Sequence, residues 1–254
     1  MNQETIRQQL TDLKMHTAAR ELEAVLHNEK RTVHLAWLAD LLAREVDARK
    51  ERALQFRIKR ADFPEITTLE AFDWSFNPKL NEQAVRELTT LNFVRQQQIA
   101  LFLGRPGTGK THLALAIGVI AAQAGLRVFC SSMKRLAAQI SKARARNQLD
   151  ILFRRILSAH LWILDDWAVV SMPSEIAEEV FDLLDRRKHS TALLLTSNRD
   201  VSEWAQVFQD PVLAAAALDR LFENAHIVEF NGKSYRLNSK ISLKELDLGE
   251  LKED

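Results

Sequence analysis

The apolar positions in the first sixty residues follow a helical spacing. They recur three or four residues apart in two groups: Leu10, Leu13, Ala18, Leu22 and Leu26, then Leu38, Leu41, Leu42 and Val46. This spacing puts them on one face of a helix, and almost no Gly or Pro interrupts the stretch. The pattern predicts a helical domain of two or three helices over residues 1–60. Its last part, 44–60, is charged and is expected to be an exposed helix that ends before Pro64.

Five short apolar segments alternate with helical segments in the rest of the chain. They span residues 99–103, 127–131, 161–164, 192–196 and 226–229. Apolar strands that alternate with helices are typical of a parallel sheet covered on both faces. We therefore predict an α/β core over residues 81–240. Residues 61–80, rich in aromatic side chains, are expected to be a linker, and 241–254 a charged tail.

Residues 104–111 read Gly-Arg-Pro-Gly-Thr-Gly-Lys-Thr, which is a complete phosphate-binding loop. A predicted strand precedes it and a predicted helix over residues 112–124 follows, which is the context that such a loop requires. Its glycines let backbone N–H groups approach the phosphates. Lys110 is expected to reach the β- and γ-phosphates, and the Thr111 hydroxyl to coordinate Mg²⁺. The predicted nucleotide contacts are Gly104, Pro106, Gly107, Thr108, Gly109, Lys110, Thr111 and His112, the last packing beside the loop.

A second signal is the acidic pair Asp165 and Asp166 at the end of an apolar strand. Asp165 is predicted to hold Mg²⁺ and Asp166 to polarise an attacking water. The alternative is that the two acids only end a strand and begin a turn. A whole strand-helix unit, roughly 127–148, separates this strand from the phosphate-binding loop. That spacing resembles ATPases with an additional strand, including the AAA+ group, and the chain lacks the Asn-Lys-x-Asp sequence of GTPases.

Two further residues fit an ATPase site. Asn198 follows the apolar strand 192–196 and resembles the sensor 1 residue of AAA+ proteins, although an Asn also commonly begins a turn. Arg220 stands where AAA+ proteins carry an arginine that reaches the nucleotide of a neighbouring subunit. Such an arginine is worth about 10³–10⁵ in rate and requires a homo-oligomer. The alternative is a surface ion pair with Asp219 or Glu223.

Composition excludes several other kinds of site. The single cysteine, Cys130, permits no internal disulfide and is expected to pack in the core. The seven histidines form no His-Glu-x-x-His pattern, and no Gly-x-Ser-x-Gly occurs. No apolar stretch is long enough for a bilayer, and the polar N-terminus does not resemble a signal peptide. We therefore expect a cytoplasmic protein without a membrane partner.

The formal net charge of +1 predicts no partner, but the local charge does. Basic residues concentrate in the segment that follows the second predicted strand: Lys134, Arg135, Lys142, Arg144, Arg146, Arg154 and Arg155. Within that segment only Asp150 opposes them. A basic face of this kind suits the phosphate backbone of double-stranded DNA. The alternative is a solvated helix surface, which is an equally good interpretation of the mixed charges over 44–60.

Together these motifs resemble the IstB-like ATP-binding proteins of insertion sequences, over about residues 13–237. The family pattern also matches Phe72-Asp73-Trp74-Ser75-Phe76, Ser202-Glu203-Trp204, Asp210-Pro211-Val212-Leu213-Ala214 and Ser234-Tyr235-Arg236-Leu237. The resemblance implies an AAA+ ATPase that binds ATP and Mg²⁺ and assembles on double-stranded DNA. It also implies that the ATPase recruits or stimulates a DDE transposase encoded by the same element. The family is related to the DnaC helicase loader.

The chain departs from the AAA+ pattern in two respects, which keeps two other functions open. Asp166 stands where many AAA+ proteins carry Glu, so hydrolysis is expected to be slow. No second sensor arginine in a C-terminal lid is evident. A protein-binding loader that grips a replicative helicase through its N-terminal helices is one alternative. A non-catalytic nucleotide-binding module is the other.

Overall fold

The computed structural model describes residues 3–28, 36–169 and 171–236, and these fall into two compact units. The first unit ends at Phe56 and the second begins at Arg57. The division therefore lies inside a helix, a few residues before the predicted limit at residue 60. The predicted tail, 241–254, lies outside the described residues, as does Leu237.

The first unit is helical. Its helices are α1 (Gln3–Asp12), α2 (His16–Asn28) and most of α3 (Ala36–Ala61). Ile6 and Leu10 of α1 pack with Ala19 of α2 and Ala39 of α3 in a small apolar core. The helical spacing of the apolar residues thus reports which sides of these helices are buried.

The second unit contains a five-stranded parallel sheet, which confirms the predicted α/β class. Its strands are β1 (Ile99–Gly104), β2 (Val128–Ser132), β3 (Leu161–Trp167), β4 (Ala192–Ser197) and β5 (Ala225–Phe230). Their order across the sheet is β2-β3-β4-β1-β5. β4 therefore lies between the strand before the phosphate-binding loop and the strand with the acidic pair. Such an inserted strand agrees with the resemblance to ATPases with an additional strand. Since all strands are parallel, the carboxyl ends of β1, β3 and β4 meet at one edge.

Helices accompany this sheet. They are α4 (Glu82–Thr89), α5 (Asn92–Arg95), α6 (Lys110–Gln123), α7 (Met133–Ala145), α8 (Leu149–Leu157), α9 (Ser174–Arg186) and α10 (Pro211–Phe222). The side chain of Ser132 caps α7 by accepting from the Arg135 amide. Asp210 caps α10 by accepting from two amides, with Pro211 in the first turn. None of the described helices is long and apolar enough to cross a bilayer.

The strands of the second unit are continuously apolar in sequence because most of their residues are buried in its core. The first four residues of β1, β2 and β3, and all six of β4, are buried. The tryptophans Trp162, Trp167 and Trp204 are fully buried in the main apolar cluster. Cys130 is also buried, and burial raises the pKa of its thiol to about 12. This cysteine therefore stays protonated and contributes packing.

Candidate nucleotide-binding site

The phosphate-binding loop connects β1 to α6 and ends with Gly109 in a left-handed conformation (φ 98°). A Cβ atom at Gly109 would lie 2.4 Å from the ring of Phe72, so both the backbone angle and the space require glycine. The N-terminus of α6, which begins at Lys110, points its free N–H groups into the loop. This arrangement suits an anionic ligand such as a chain of phosphates.

Lys110 is 5% exposed and is held by the loop itself. Its ammonium group donates to the carbonyl oxygens of Gly104 (2.8 Å) and Arg105 (2.7 Å). Burial lowers the pKa of Lys110 to about 8, although the charges of Asp165 and Asp166 act in the opposite direction. Added phosphates would favour the charged form, since a nearby opposite charge offsets desolvation.

The acidic pair lies beside the loop. The Thr111 hydroxyl donates to Oδ1 of Asp165 at 2.8 Å, which joins the start of α6 to the end of β3. The Asn198 side-chain amide, at the end of β4, donates to Oδ1 of Asp166 at 3.1 Å. The three strand-end signals therefore meet in space, because β1, β3 and β4 are neighbours in the sheet.

Asp166 has the environment of a candidate base. Burial raises its pKa, and the neighbouring Asp165 charge raises it further, while the Asn198 hydrogen bond and the charges of Lys110 and Arg236 lower it. A carboxylate with a raised pKa accepts a proton more readily than an ordinary one. The arrangement is therefore suited to polarising a water molecule.

Thr111 and Asp165 are also the residues that fit Mg²⁺. Hydroxyl and carboxylate oxygens are the ligands that this hard cation prefers, and Mg²⁺ usually takes only one or two protein ligands beside phosphate and water. Among the described residues no group of three or more His, Cys, Asp or Glu side chains could hold a metal. A protein-only metal cage is thus not the kind of site found in this part of the chain, and a shared site with phosphates fits better.

A cavity of about 340 Å³ joins these groups. Beside the loop and the acidic pair, it is lined by residues of the predicted linker and by the segment after β5: Glu65, Ala71, Phe72, Asp73, Phe76, Asn77, Tyr235 and Arg236. Sequence reasoning assigned none of these to the site. The sequence does contain a signal for these residues, namely the aromatic motif of the linker and the Ser-Tyr-Arg motif. Neither motif by itself indicates a contact with the phosphate-binding loop.

Several contacts hold the linker against the phosphate-binding loop. The buried Asn77 side chain donates to the Thr108 carbonyl oxygen at 3.2 Å. The Thr67 hydroxyl donates to the carbonyl oxygen of His112 at 2.9 Å, and the His112 ring lies 5.6 Å from that of Phe72. His112 thus packs beside the loop. The linker is a wall of the cavity rather than a free tether.

The segment after β5 contacts the loop from another direction. The amide of Tyr235 donates to the Gly107 carbonyl oxygen at 2.8 Å, and its ring packs edge-on against Phe76 with the centroids 4.9 Å apart. Arg236 follows directly, and its positive charge lowers the pKa of both Lys110 and Asp166. The cavity therefore contains a second cation, which the sequence pattern had not indicated.

Arg220 is not among the residues that line this cavity. It lies in the last turn of α10, where its guanidinium donates to Asp185 at 2.8 Å and lies 3.6 Å from Asp219. The ion pair with Asp185 is half exposed, and exposed pairs contribute little stability. The ion pair with Asp219 is the kind of surface contact that the alternative interpretation expected, and the role of Arg220 as an arginine finger stays a prediction.

The predicted DNA-binding residues lie on α7 and just beyond it, and two of them have acidic neighbours. Arg135 pairs with Asp62, and Arg144 lies 3.3 Å from Glu175 and 3.4 Å from Glu179. These acids are distant from α7 in the sequence. The local sequence therefore shows an excess of positive charge that the structure partly neutralises. Lys134, Lys142 and Arg146 are exposed. Contact with DNA through this face stays a prediction, with less net positive charge than the segment alone suggested.

Comparison with known proteins identifies the family. The profile of the IstB-like ATP binding protein family matches residues 6–242. The chain belongs to this family. It is 38% identical over 233 residues to the ATP-binding protein of insertion sequence IS21 from Pseudomonas aeruginosa, which covers 91% of this chain and 88% of that protein. The IstB-like chain thus carries the phosphate-binding loop of an ATP-binding family that is associated with insertion sequences.

Two solved structures show the same fold at lower identity. The replication initiator DnaA, bound to AMPPCP and single-stranded DNA, matches with a TM-score of 0.54 and 23% identity. The match covers 71% of this IstB-like chain and 55% of the DnaA chain. The DnaC helicase loader matches with a TM-score of 0.50 and 18% identity, over 59% of this chain and 87% of that one. Together with the family match, these likenesses establish the AAA+ P-loop fold.

Proposed function

We propose that this protein is an ATPase switch that holds double-stranded DNA in its ATP-bound state and recruits or stimulates a transposase. The observation that carries the ATPase part is one connected set of contacts in one cavity. Thr111 of the phosphate-binding loop bonds to Asp165, and Asn198 bonds to the adjacent Asp166. The association with transposition rests on family membership, since the relatives are proteins of insertion sequences.

Binding would use the loop and its walls. The amides at the start of α6 and the ammonium group of Lys110 would neutralise the phosphates, and Lys110 would exchange its bonds to Gly104 and Arg105 for phosphate oxygens. Thr111 and Asp165 would hold Mg²⁺, which neutralises charge on the phosphates when bound. The aromatic linker residues Phe72 and Phe76, which line the cavity, would cover the remainder of the nucleotide.

Hydrolysis would use Asp166 and Asn198. The Asn198 amide donates to the Asp166 carboxylate and would hold it in one orientation towards an incoming water. The raised pKa of Asp166 favours proton uptake from that water. In a homo-oligomer, Arg220 of a neighbouring copy would add positive charge to that of Lys110 and Arg236. A shorter acid than Glu is expected to give slow turnover.

The first experiment measures binding to a random-sequence duplex with ATP, ADP or no nucleotide across a series of salt concentrations. We expect tight binding with ATP only, with a steep dependence on salt because phosphate contacts release counterions. Lys110→Ala is the control, since it should lose the ATP effect while its basic surface is unchanged. Equal binding in all three nucleotide states would contradict the switch.

The transposase step needs its own test. With the transposase of the same element present, strand transfer should require ATP-bound protein and should fail with Lys110→Ala. If DNA is never bound but a replicative helicase is retained through the N-terminal helices, a helicase loader is the better interpretation. If ATP binds while turnover equals that of Lys110→Ala, the protein is a non-catalytic nucleotide-binding module. Its cytoplasmic location stays a prediction.

A further inference from the structure

The end of β3 contains a β-bulge at the acidic pair. The register between the strands matches Leu164 with Leu195 and then Trp167 with Ser197. Three steps along β3 thus correspond to two steps along β4, so Asp165 and Asp166 together lie opposite a single residue, Thr196. A bulge of this kind disrupts the ladder of backbone hydrogen bonds and redirects side chains.

Thr196 supplies the contacts at this disruption. Its side chain is buried, and its hydroxyl donates to Oδ1 of Asp165 at 2.5 Å. The same hydroxyl oxygen accepts a hydrogen bond from the Asp166 amide at 3.1 Å. A threonine hydroxyl has one proton and two lone pairs, so it can serve both acids at once.

We propose that Thr196 is a positioning residue that sets the acidic pair for Mg²⁺ and water, an inference that rests on the proposed ATPase function. Oδ1 of Asp165 accepts hydrogen bonds from the hydroxyl groups of Thr196 (2.5 Å) and Thr111 (2.8 Å). These two donors come from β4 and from the phosphate-binding loop. Together they fix the carboxylate orientation that the ion would meet, which is what outer partners of metal ligands do.

Thr196 also stabilises the backbone conformation of Asp166. Asp166 has a φ of 57°, in the left-handed region, which is unfavourable for a residue with a Cβ atom. Contacts must offset that cost, and the bond from the Asp166 amide to Thr196 is one of them. The other is the Asn198 bond to its carboxylate. Thr196 therefore acts on Asp166 through the backbone and on Asp165 through the side chain.

The test compares Thr196→Val with Thr196→Ser. Valine has the same shape without the hydroxyl, whereas serine keeps the hydroxyl and loses one methyl group. ATP binding is measured by calorimetry in EDTA and across a Mg²⁺ series, together with the Mg²⁺ dependence of turnover. For Thr196→Val we expect unchanged ATP affinity in EDTA and an increase of about tenfold in the half-saturating Mg²⁺ concentration. Thr196→Ser should restore the wild-type Mg²⁺ dependence.

Ser197→Ala is the matched control. Ser197 is the next residue of β4 and is equally buried, but its hydroxyl donates to the Trp167 carbonyl oxygen at 3.0 Å. Its variant should be destabilised without a change in Mg²⁺ dependence. If Thr196→Val does not fold, Thr196→Cys replaces the hydroxyl with a weaker donor of similar size and should give an intermediate effect.

The outcomes separate the two proposals. Wild-type protein that binds no ATP would overturn the proposed function itself. Wild-type protein that binds ATP more tightly with Mg²⁺, together with a Thr196→Val variant of the same Mg²⁺ dependence, would overturn only the role of Thr196. The same loss in Thr196→Ser as in Thr196→Val would also overturn it, because the hydroxyl would then be irrelevant.

Discussion

At the scale of single residues, the lysine of the phosphate-binding loop has a pKa lowered towards physiological pH. Burial lowers the pKa of Lys110 to about 8 in the protein without nucleotide. Bound phosphates would favour its charged form and raise that pKa. ATP binding then takes up a proton above pH 8, whereas below about pH 7 the lysine is already charged in both states.

We therefore expect ATP affinity to be nearly constant below pH 7 and to fall as the pH rises through 8. The decline is at most about tenfold per pH unit for a single proton. Calorimetric titrations between pH 6.5 and 9.5 measure it. Lys110→Ala should bind more weakly at every pH and show no decline between pH 8 and 9.5; an equal decline in that variant would mean that another group titrates.

Arg220 permits a second prediction at this scale. Arg220→Ala should reduce the rate of ATP hydrolysis by about 10³-fold or more, because an arginine that acts across a subunit interface neutralises charge in the transition state. ATP binding should be retained, since Arg220 does not line the cavity of its own chain. Steady-state hydrolysis and ATP titration together measure both effects.

The controls use neighbouring surface groups. Arg186 of α9 also forms an exposed ion pair, with Asp182 at 3.1 Å, and Arg186→Ala should hydrolyse ATP at the wild-type rate. Asp185→Asn removes the partner of Arg220 without removing the arginine and should not slow hydrolysis. Mixing Lys110→Ala with Arg220→Ala protein should restore part of the activity, and inactivity of every mixture would contradict action between subunits.

At the scale of elements, the nucleotide cavity depends on two segments that flank the sheet in sequence. The linker contacts the phosphate-binding loop through Asn77 and Thr67, and the segment after β5 contacts it through Tyr235. Both run over the carboxyl edge of the sheet, where the loop lies. Phosphates bound at this edge would therefore affect the positions of both segments.

Arg236 contributes positive charge to the cavity from the segment after β5. Arg236→Gln should weaken ATP binding by about tenfold, the equivalent of about 1.4 kcal/mol, because the cavity loses one positive charge. The pKa of Lys110 should also increase, since the charge of Arg236 lowers it, so the decline in affinity should begin at a higher pH. Lys233→Gln is the control, because Lys233 is exposed nearby and does not line the cavity. Equal losses in both variants would point to a general charge effect.

At the scale of the whole molecule, charge is nearly balanced overall and unevenly placed. All the basic residues of α7 are exposed, but Arg135 and Arg144 form ion pairs, whereas Lys134 and Lys142 form none within the part of the chain that the structure describes. Only the second group can offer most of its charge to a nucleic acid backbone. The distinction is invisible in sequence, since Asp62 and Glu179 lie far from α7 along the chain.

The triple variant Lys134→Gln, Lys142→Gln and Arg146→Gln should therefore bind DNA more weakly and with a smaller salt dependence. The slope of log affinity against log salt should fall by about 3, since each phosphate contact contributes about 0.9. Filter binding or fluorescence anisotropy across 50–300 mM salt measures it, in the range where counterion release dominates. The double variant Arg135→Gln and Arg144→Gln should change the slope less. The reverse ranking would place the DNA elsewhere.

Much of the fold was predictable because its strands are buried on both faces. The predicted strand over 99–103 differs from β1 by one residue, and that over 161–164 stops where the bulge begins. The bulge itself was not predictable, since nothing in Asp165-Asp166 indicates that both acids oppose one residue. The Thr196 contacts depend on that register and were therefore missed.

The sequence by itself determined the class of fold, the phosphate-binding loop and the chemistry of the three strand ends. Each of these features depends on residues that are adjacent along the chain. The tertiary structure alone decided which distant segments complete the site. Arg236 lines the cavity and Asn77 bonds to the loop only because the chain returns to the carboxyl edge of the sheet. It also decided which basic residues are neutralised, because ion pairs form between groups that are close in space, whatever their separation along the chain.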